Sequence, residues 1–349
     1  MKRRGLGLGS MFYGIGYGFN RPDIGAAHVE IAEDGTATLY TGVCDLGQGI
    51  QTLLAQIVGN ELGLPMEAIR VVDADTGSTP DSGPTSGSRA TFVQGQAVRN
   101  AALDVKERVL EMASKLLDAP VDDLELTGAS VRSQRGGNAV TVLRIVDEMH
   151  KQGKRCIGWG WQDITTADVD PLTSQGDAYQ TFGWATQLAE VEVDTETGFI
   201  KLTRLVSATD AGKAINPLGV EGQVQGGAVM GMGYALYEQH ILDHGDPKTA
   251  SLAFYLVPSP MDVPEVECLI VEVPDPAGPY GAKGVSEPAT IPTTPAILNA
   301  IYDAVGVRVT ETPATPERVF NLLREQEREA ASTSSEVPET QPQRNGGSE

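Results

Sequence analysis

Residues 26–49 read AAHVEIAEDGTATLYTGVCDLGQG and run directly into a helical pattern over Ile50–Leu62. Apolar and polar residues alternate on both sides of Glu33-Asp34-Gly35, which is typical of a β-hairpin with a tight turn. From Ile50 the apolar residues recur at helical spacing until Gly63-Leu64-Pro65 ends the pattern. This stretch therefore predicts a hairpin, a glycine-containing loop and a helix, in that order.

The same order of elements returns in the second half of the chain. Residues 185–206 predict a second hairpin, and a loop ending at Asn216-Pro217 precedes a glycine-rich helix. A short strand at residues 69–72 and a long amphipathic helix over about residues 94–117 lie between the two units. The repetition predicts an α+β fold of two related subdomains with mixed sheets and packed helices.

We expect the first subdomain to cover residues 1–180 and the second to cover residues 181–324, with the loop that carries Glu287 in the second. Residues 119–177 are typical of short strands joined by loops. Residues 325–349 are rich in Glu, Ser, Thr, Gln and Pro, which predicts a disordered acidic tail. The N-terminal Arg3-Arg4 pair is followed by no continuous apolar region, so we expect no export signal, no transmembrane helix and a cytoplasmic location.

The chain is strongly acidic, with 47 acidic and 26 basic residues and a net charge of −21. Nucleic acids and anionic membranes bind basic surfaces, so this balance argues against both as partners. The three cysteines, at positions 44, 156 and 268, lie far apart and form no CxxC pair. That spacing indicates neither a zinc site nor an iron–sulfur cluster, and we predict no metal-ligating side chain.

Four polar, glycine-rich segments interrupt the α+β pattern, and the first is GVCDLGQG at residues 42–49. Gly47 and Gly49 allow a ligand to approach the backbone closely, and Gln48 offers a donor and an acceptor at the start of a helix. Exposed backbone N–H groups at such a position favour a phosphate or a polar heterocycle. A strand-to-helix turn without a ligand explains the same residues.

The second segment, TSGSRA at residues 85–90, precedes the long helix. Its small hydroxyl residues can cap that helix, or they can form an anion-binding nest to which Arg89 would add charge. A flexible linker is the third interpretation. Its position between a buried strand and a well-patterned helix leads us to expect an ordered loop.

The third segment, NPLGVEGQVQGGAVMGMG at residues 216–233, contains six glycines, five of which (Gly222, Gly226, Gly227, Gly231 and Gly233) accumulate in the interior of a predicted helix. Glycine destabilises a helix interior by about 1 kcal/mol relative to alanine. The accumulation therefore indicates close approach of either another helix or a bulky cofactor. Gln223 and Gln225 are its hydrogen-bonding side chains.

The fourth segment, GPYGAKGVSEPAT at residues 278–290, contains Glu287 between Gly284 and Pro288. A carboxylate held in a rigid loop is what general-base chemistry requires. Most loop glutamates are simply solvated, and the residue alone does not distinguish the two interpretations.

Taken together and in order, these segments resemble the molybdenum-cofactor-binding subunit of the xanthine dehydrogenase/aldehyde oxidase family. The second cofactor-binding domain of that subunit reads as GxxxxGQG, a Ser/Thr-rich loop before GQAV, NP…GQxxGG, and KGxGEP. The corresponding stretches here are residues 42–49, 85–88 with 95–98, 216–227, and 283–288. The resemblance spans about residues 4–319, and four ordered motifs make it far more specific than any single one.

The resemblance implies a molybdopterin-dependent oxidoreductase in which Glu287 is the catalytic general base. Gln48 would contact the molybdenum ligands or the dithiolene, and Gln223 the edge of the pterin. The serine-rich loop would hold the pyranopterin and its phosphate. The implied cofactor-binding residues are Gln48, Gly49, Ser86, Gly87, Ser88 and Gln223. The cofactor itself would carry the redox chemistry.

Two departures from the family pattern bear on these expectations. Ser286 stands where the family usually has glycine, which puts the loop geometry in doubt if the position requires a positive φ. The family's first molybdenum-cofactor domain, with its own glycine loop, has no counterpart here. We therefore expect a partner chain carrying that domain, together with Fe–S and FAD subunits that accept the electrons.

The implied reaction is oxidative hydroxylation of an N-heterocycle such as xanthine or another purine, or of an aldehyde, with water as the oxygen source. The stretches GSRATF and DPAGPYGAKG are more similar to bacterial purine and N-heterocycle hydroxylases than to carbon monoxide dehydrogenases. The expected cofactor is molybdenum–molybdopterin in its cytosine dinucleotide form, with Fe–S and FAD only on partner subunits. The alternatives are a non-catalytic cofactor-binding or assembly component, and a nonfunctional remnant of a split gene. Retention of Glu287 favours the enzyme.

Overall fold

The computed structural model of the protein describes residues 1–335. The strands in chain order are β1 (Lys2–Gly14), β2 (Asp23–Ile31), β3 (Ala37–Thr41), β4 (Ile69–Asp73), β5 (Leu124–Thr127), β6 (Ser130–Ser133), β7 (Ala139–Thr141), β8 (Ile157–Ile164), β9 (Phe182–Asp194), β10 (Ile200–Asp210), β11 (Leu242–Asp243), β12 (Asp246–Pro247) and β13 (Val266–Val271). The helices are α1 (Ile50–Leu62), α2 (Gly95–Leu117), α3 (Val142–Lys151), α4 (Pro217–Leu236), α5 (Ser286–Thr290), α6 (Thr293–Val305) and α7 (Pro316–Ser335). Within residues 1–335, no helix combines the length and the apolar character needed to cross a membrane.

The first predicted hairpin forms the centre of one four-stranded sheet. β2 and β3 pair antiparallel, β4 joins parallel to β3, and β8 joins antiparallel to β2, which gives the order β4-β3-β2-β8. Alternate residues of β3 point inward, and α1 and α2 cover that face. Val29, Leu39, Val58 and Val105 are fully buried between the layers. The predicted hairpin, loop and helix are thus confirmed.

The second predicted hairpin, β9 and β10, forms the centre of another four-stranded sheet, with the order β1-β9-β10-β13. α4 and α6 cover its inner face, where Leu202, Met232 and Ile297 are buried. β1 pairs antiparallel with β9 along its whole length, so the start of the chain lies in this second sheet. The predicted α+β architecture of mixed sheets and packed helices is confirmed, whereas the subdomain boundary at residue 180 stays a prediction.

In each unit one strand lies directly against a helix, with no side chain between the two backbones. Gly5, Gly7 and Gly9 of β1 all face α6 or the turn before it, and a Cβ on Gly7 would overlap backbone atoms of Ala296 and Ala300. β8 faces α2 in the same way through Gly158 and Gly160. The two units therefore share a strand-on-helix contact as well as the order of their elements.

We expect Gly7→Ala to lower the free energy of unfolding by about 1–3 kcal/mol, because the added methyl group must displace α6 from β1. Denaturant-induced unfolding of the full chain measures the change. Ser10→Ala is the control, because Ser10 lies on the opposite, exposed face of β1. That control should change stability by about 0.5 kcal/mol or less. Equal effects of the two substitutions would contradict the close contact.

Residues 119–177 differ from the prediction of strands and loops alone, because they contain α3. Thr141 caps this helix, and its Oγ1 accepts a hydrogen bond from the backbone N–H of Arg144 at 3.3 Å. The apolar residues of α3 lie one helical turn apart and are buried against the first core, namely Val142, Ile145, Val146 and Met149. A helix of ten residues repeats its apolar period fewer than three times, so its sequence pattern is hard to distinguish from that of short strands.

The C-terminal segment differs from the predicted disordered tail, because α7 continues to Ser335. Val319 and Leu323 bury the first turns of α7 in the second core. The following residues include Glu, Arg, Gln and Ala, which favour continuation of an existing helix even without apolar contacts. Residues 336–349 of the predicted tail lie outside the described residues.

Candidate active site

The four glycine-rich segments meet between the two units. They line a groove of about 370 Å³, to which the predicted site residues contribute Gln48, Ser86, Ser88, Gln223 and Glu287. Gly49 lines a cavity of about 80 Å³ that shares Gln48, Ser88 and Gln223 with the groove. The volume of the groove lies in the range of pockets that hold small ligands, about 300–1,000 Å³.

The carboxylate of Glu287 is partly buried and is held by the serine-rich loop. Its Oε1 accepts a hydrogen bond from the backbone N–H of Gly87 at 3.0 Å, and its Oε2 accepts one from the hydroxyl of Ser88. Ser88 Oγ also accepts a hydrogen bond from the backbone N–H of Glu287 at 3.2 Å. The side chain is thus held in one orientation, unlike that of a freely solvated loop glutamate.

The loops that carry Ser88 and Glu287 touch through their backbones. A Cβ on Gly284 would overlap the carbonyl oxygen of Ser88, so this position accepts only glycine. Ser88 itself has φ +53°, in the left-handed region that residues other than glycine rarely adopt. Ser286, which replaces the family's glycine, does not have a positive φ. The substitution therefore requires no strained backbone.

A buried ion pair anchors the serine-rich loop. Arg89 is fully buried, and its Nε donates to the carboxylate of Asp23. Its Nη1 donates to the carbonyl oxygens of Ser82 and Pro84 at 2.9 and 2.8 Å, and its Nη2 donates to that of Ile24. The prediction that Arg89 adds charge to an anion-binding nest is therefore corrected, because Arg89 directs its donors into the protein.

A second buried ion pair anchors the loop that carries Glu287. Lys283 Nζ lies 2.8 Å from Asp210 Oδ2 at the end of β10, and both side chains are almost fully buried. The two loops that meet at Glu287 are therefore each fixed to a different sheet.

The segment between β1 and β2 contacts the serine-rich loop of the site, and this contact could not be predicted from the sequence. The hydroxyl groups of Tyr17 and Ser86 are hydrogen-bonded, and the backbone N–H of Gly16 donates to the carbonyl oxygen of Gly87 at 2.8 Å. Burial, with a smaller contribution from the charge of Glu287, raises the pKa of Tyr13 to about 12. The repeated Gly and Tyr of YGIGYG at residues 13–18 were the available signal.

Asp45 organises the loop over residues 42–49. Its carboxylate accepts hydrogen bonds from the backbone N–H groups of Gly47, Gly49 and Gln51 at 2.8–3.3 Å. Burial alone would raise the pKa of Asp45, but these donors hold the pKa below its ordinary value. Gly47 and Gly49 have φ of +105° and +76°, and the space beside each is open.

The amide of Gln48 braces the same loop. Its Oε1 accepts a hydrogen bond from the backbone N–H of Leu46, and its Nε2 donates to the carbonyl oxygen of Cys44 at 3.0 Å. Gln48 nevertheless lines both the groove and the smaller cavity. The side chain therefore lies at the groove, and its contact with a cofactor stays a prediction.

Gln223 lies on α4 opposite this loop. Its Oε1 accepts a hydrogen bond from the hydroxyl of Ser286 at 3.0 Å. Among residues 1–335, no protein acceptor is hydrogen-bonded to its Nε2. Gln225 points away from the groove and bonds Glu221.

The glycines of α4 include some that contact neighbouring helices closely and some that have open space beside them. Gly227 and Gly231 allow α5 and α6 to approach, because a Cβ on either would overlap Ala289 or Thr293. Gly222 and Gly226 have open space beside them. Helix packing therefore accounts for only part of this glycine-rich segment.

Comparison with known proteins shows which family of proteins the chain is similar to. Residues 1–264 match the family model described as molybdopterin cofactor-binding domain. The chain is 36% identical over 329 residues to the 6-hydroxypseudooxynicotine dehydrogenase complex subunit gamma of Paenarthrobacter nicotinovorans, covering 92% of this chain and 40% of that subunit. It is 31% identical to the xanthine dehydrogenase molybdenum-binding subunit of Escherichia coli, covering 91% of this chain and 42% of that protein.

A solved structure shares the fold. Quinoline 2-oxidoreductase from Pseudomonas putida superimposes with a TM-score of 0.79 at 28% sequence identity, covering 93% of this chain and 42% of that chain. This chain thus spans about 40% of the length of the curated relatives that it matches.

Proposed function

Because the chain belongs to the molybdopterin cofactor-binding domain family, we propose that it binds the molybdenum cofactor and supplies the general base of a molybdenum hydroxylase. The observation that carries the proposal is the carboxylate of Glu287, oriented by Gly87 and Ser88 in the same groove as Gln48 and Gln223. Xanthine and quinoline, after which two similar proteins are named, are both N-heterocycles. They support an N-heterocycle as the substrate class, with an aldehyde as the alternative.

The groove fits a pterin cofactor in its chemistry. The open space beside Gly47 and Gly49 would admit a bulky ligand against the backbone, and Nε2 of Gln223 is free of protein acceptors within residues 1–335. Gln48, Gly49 and the loop over residues 86–88 would hold the remainder of the ligand. When bound, the cofactor would supply the two-electron redox chemistry that side chains lack.

The chain's own part in catalysis would be to hold and move one proton. Oε2 of Glu287 accepts the hydrogen bond of the Ser88 hydroxyl and would become the proton acceptor. A hydroxyl group both donates and accepts, so Ser88 can rotate to accept from Glu287 once that carboxyl is protonated. The backbone N–H of Gly87 would keep the other oxygen in place throughout.

The proposal includes partners. The relatives are about two and a half times as long as the matched segment, and one of them is a subunit of a named complex. We propose a partner chain with the first molybdenum-cofactor domain, and Fe–S and FAD subunits that take the electrons away. The cytosine dinucleotide form of the cofactor belongs to the same proposal.

Metal and pterin analysis of the complex purified through this chain tests the proposal. We expect stoichiometric molybdenum in the complex and little in the isolated chain, because the proposed partner chain would supply the other part of the cofactor site. Gln48→Ala should weaken cofactor binding about tenfold, because it removes two hydrogen bonds of about 0.5–1.5 kcal/mol each that shape the site. The matched control is Gln225→Ala, which changes an exposed glutamine outside the groove. A purified complex without molybdenum or pterin would refute the function.

A further inference from the structure

The outer face of the second sheet exposes large apolar side chains. Leu8 and Phe12 of β1 are both 58% exposed, and Trp184 of β9 is 55% exposed. Phe12 and Trp184 are direct neighbours across the two strands. Grouped exposed side chains of this size mark interaction surfaces in proteins.

Aromatic rings continue this surface toward the site. Phe12 stacks on Phe182 with ring centroids 4.4 Å apart and contacts Trp184 at 4.7 Å. Tyr179 contacts Phe182 at 5.9 Å and Phe19 at 5.6 Å. We name Trp184, Phe12, Phe182, Tyr179 and Phe19 the aromatic run.

The Phe19 end of the aromatic run lies beside the segment that contacts the serine-rich loop of the candidate active site. Phe19 follows two residues after Tyr17, whose hydroxyl is hydrogen-bonded to Ser86 of the groove. The backbone N–H of Phe19 also donates to the carbonyl oxygen of Ala178, which fixes Phe19 beside Tyr179 in the run. A polypeptide seated on the run would therefore border the groove.

Charge is distributed unevenly along the same strands. At the far end, Lys2 and Arg4 of β1 pair with Glu192 of β9. At the end near the groove, the outward residues between Leu8 and Phe12 and their partners on β9 are uncharged. The apolar part of the face is thus the part that lies beside the site. A second copy of this chain, with its own net charge of −21, is a poor occupant because like charges repel.

We infer that the aromatic run is the docking surface for the polypeptide that completes the cofactor site. Its occupant is a chain similar to the part of the curated relatives that this chain does not match, about 60% of their length, since the matched part is 40–42%. The inference rests on the proposed function, which requires such a polypeptide. It adds where on this chain that polypeptide binds.

Site-specific photocrosslinking in the full complex tests the inference. The chain carries Phe12→p-benzoylphenylalanine, is purified with its associated polypeptides, is irradiated, and the products are identified by mass spectrometry. We expect a cross-link to a polypeptide similar to the unmatched part of the relatives. Leu143→p-benzoylphenylalanine is the control, because Leu143 is 52% exposed on α3 in the other unit. It should not give that cross-link.

A paired substitution gives an independent measurement. Phe12→Ser combined with Trp184→Ser should lower recovery of that polypeptide at least about tenfold, because aromatic anchors dominate binding energy at interfaces. The melting temperature of the chain should stay within a few degrees of the parent value, because both side chains are exposed.

The outcomes separate the inference from the function. A molybdenum-containing complex in which Phe12 cross-links to a second copy, or to nothing, overturns the inference and leaves the function standing. The same holds if the paired substitution leaves recovery unchanged. A complex that lacks molybdenum refutes the proposed function, whatever Phe12 contacts.

Discussion

Turnover per bound molybdenum should fall by about 10²–10⁴-fold when Glu287 is replaced by glutamine, which is the usual loss on removing a general base. Molybdenum content should stay unchanged, because the amide fits the site of the carboxylate. Its oxygen can accept from the backbone N–H of Gly87, and its nitrogen can donate to Ser88 Oγ. The substitution therefore removes the proton acceptor and keeps the loop contacts.

The measurement is substrate-dependent reduction of an artificial electron acceptor by the purified complex, normalised to molybdenum. Gln48→Ala is the control, since its residual activity should track the amount of bound molybdenum. Near-normal turnover per molybdenum in Glu287→Gln would show that Glu287 is not the base. The non-catalytic role in binding or assembly would then be the better explanation of the chain.

Arg89→Met should lower the free energy of unfolding by about 3–5 kcal/mol, the usual cost of breaking a buried ion pair on one side. Methionine fills much of the volume but has no donors. Asp23 would be left buried without its guanidinium partner, and the carbonyl oxygens of Ser82 and Pro84 would lose their hydrogen bonds. Denaturant-induced unfolding of the chain measures the loss.

Two further variants identify the cause of that loss. Asp23→Asn combined with Arg89→Met should recover part of the stability, because no buried charge is left unpaired. Arg70→Met is the surface control, since Arg70 is exposed on β4, and it should cost about 0.5 kcal/mol or less. If Arg89→Met were as mild as Arg70→Met, the buried pair would not hold the loop.

The elements that could be predicted are those with a clear period. The alternation around residues 33–35 and the apolar spacing from Ile50 to Leu62 depend only on neighbours in sequence, and both elements have the predicted bounds to within a few residues. The place of β1 in the second sheet cannot be predicted in this way, because its partner β9 follows about 180 residues later. Nothing local to residues 2–14 specifies that pairing.

The residues of the candidate site likewise include some that the sequence predicts and some that depend on contacts between distant parts of the chain. Glycine-rich segments and an isolated loop glutamate are visible as patterns, so the groove residues could be named before the fold was known. The structural role of Arg89 could not be predicted, because a basic residue in a polar loop is usually exposed at the surface. Its burial depends on Asp23, which lies 66 residues earlier. Tyr17 was missed for the same reason, as its contact with Ser86 crosses 69 residues.

The glycines of β1 also settle how that strand is aligned in its sheet. A strand can shift by two residues along its partner and keep the same side chains on each face. Alternation of apolar and polar residues therefore does not distinguish alignments that differ by two residues. Here the inward-facing glycines are limited to Gly5, Gly7 and Gly9, and the next inward positions on either side are Arg3 and Met11. A slip of two residues in either direction would press one of these side chains into backbone atoms of α6 or the turn before it. The three alternate glycines therefore allow the observed alignment of β1 and exclude the alignments shifted by two residues.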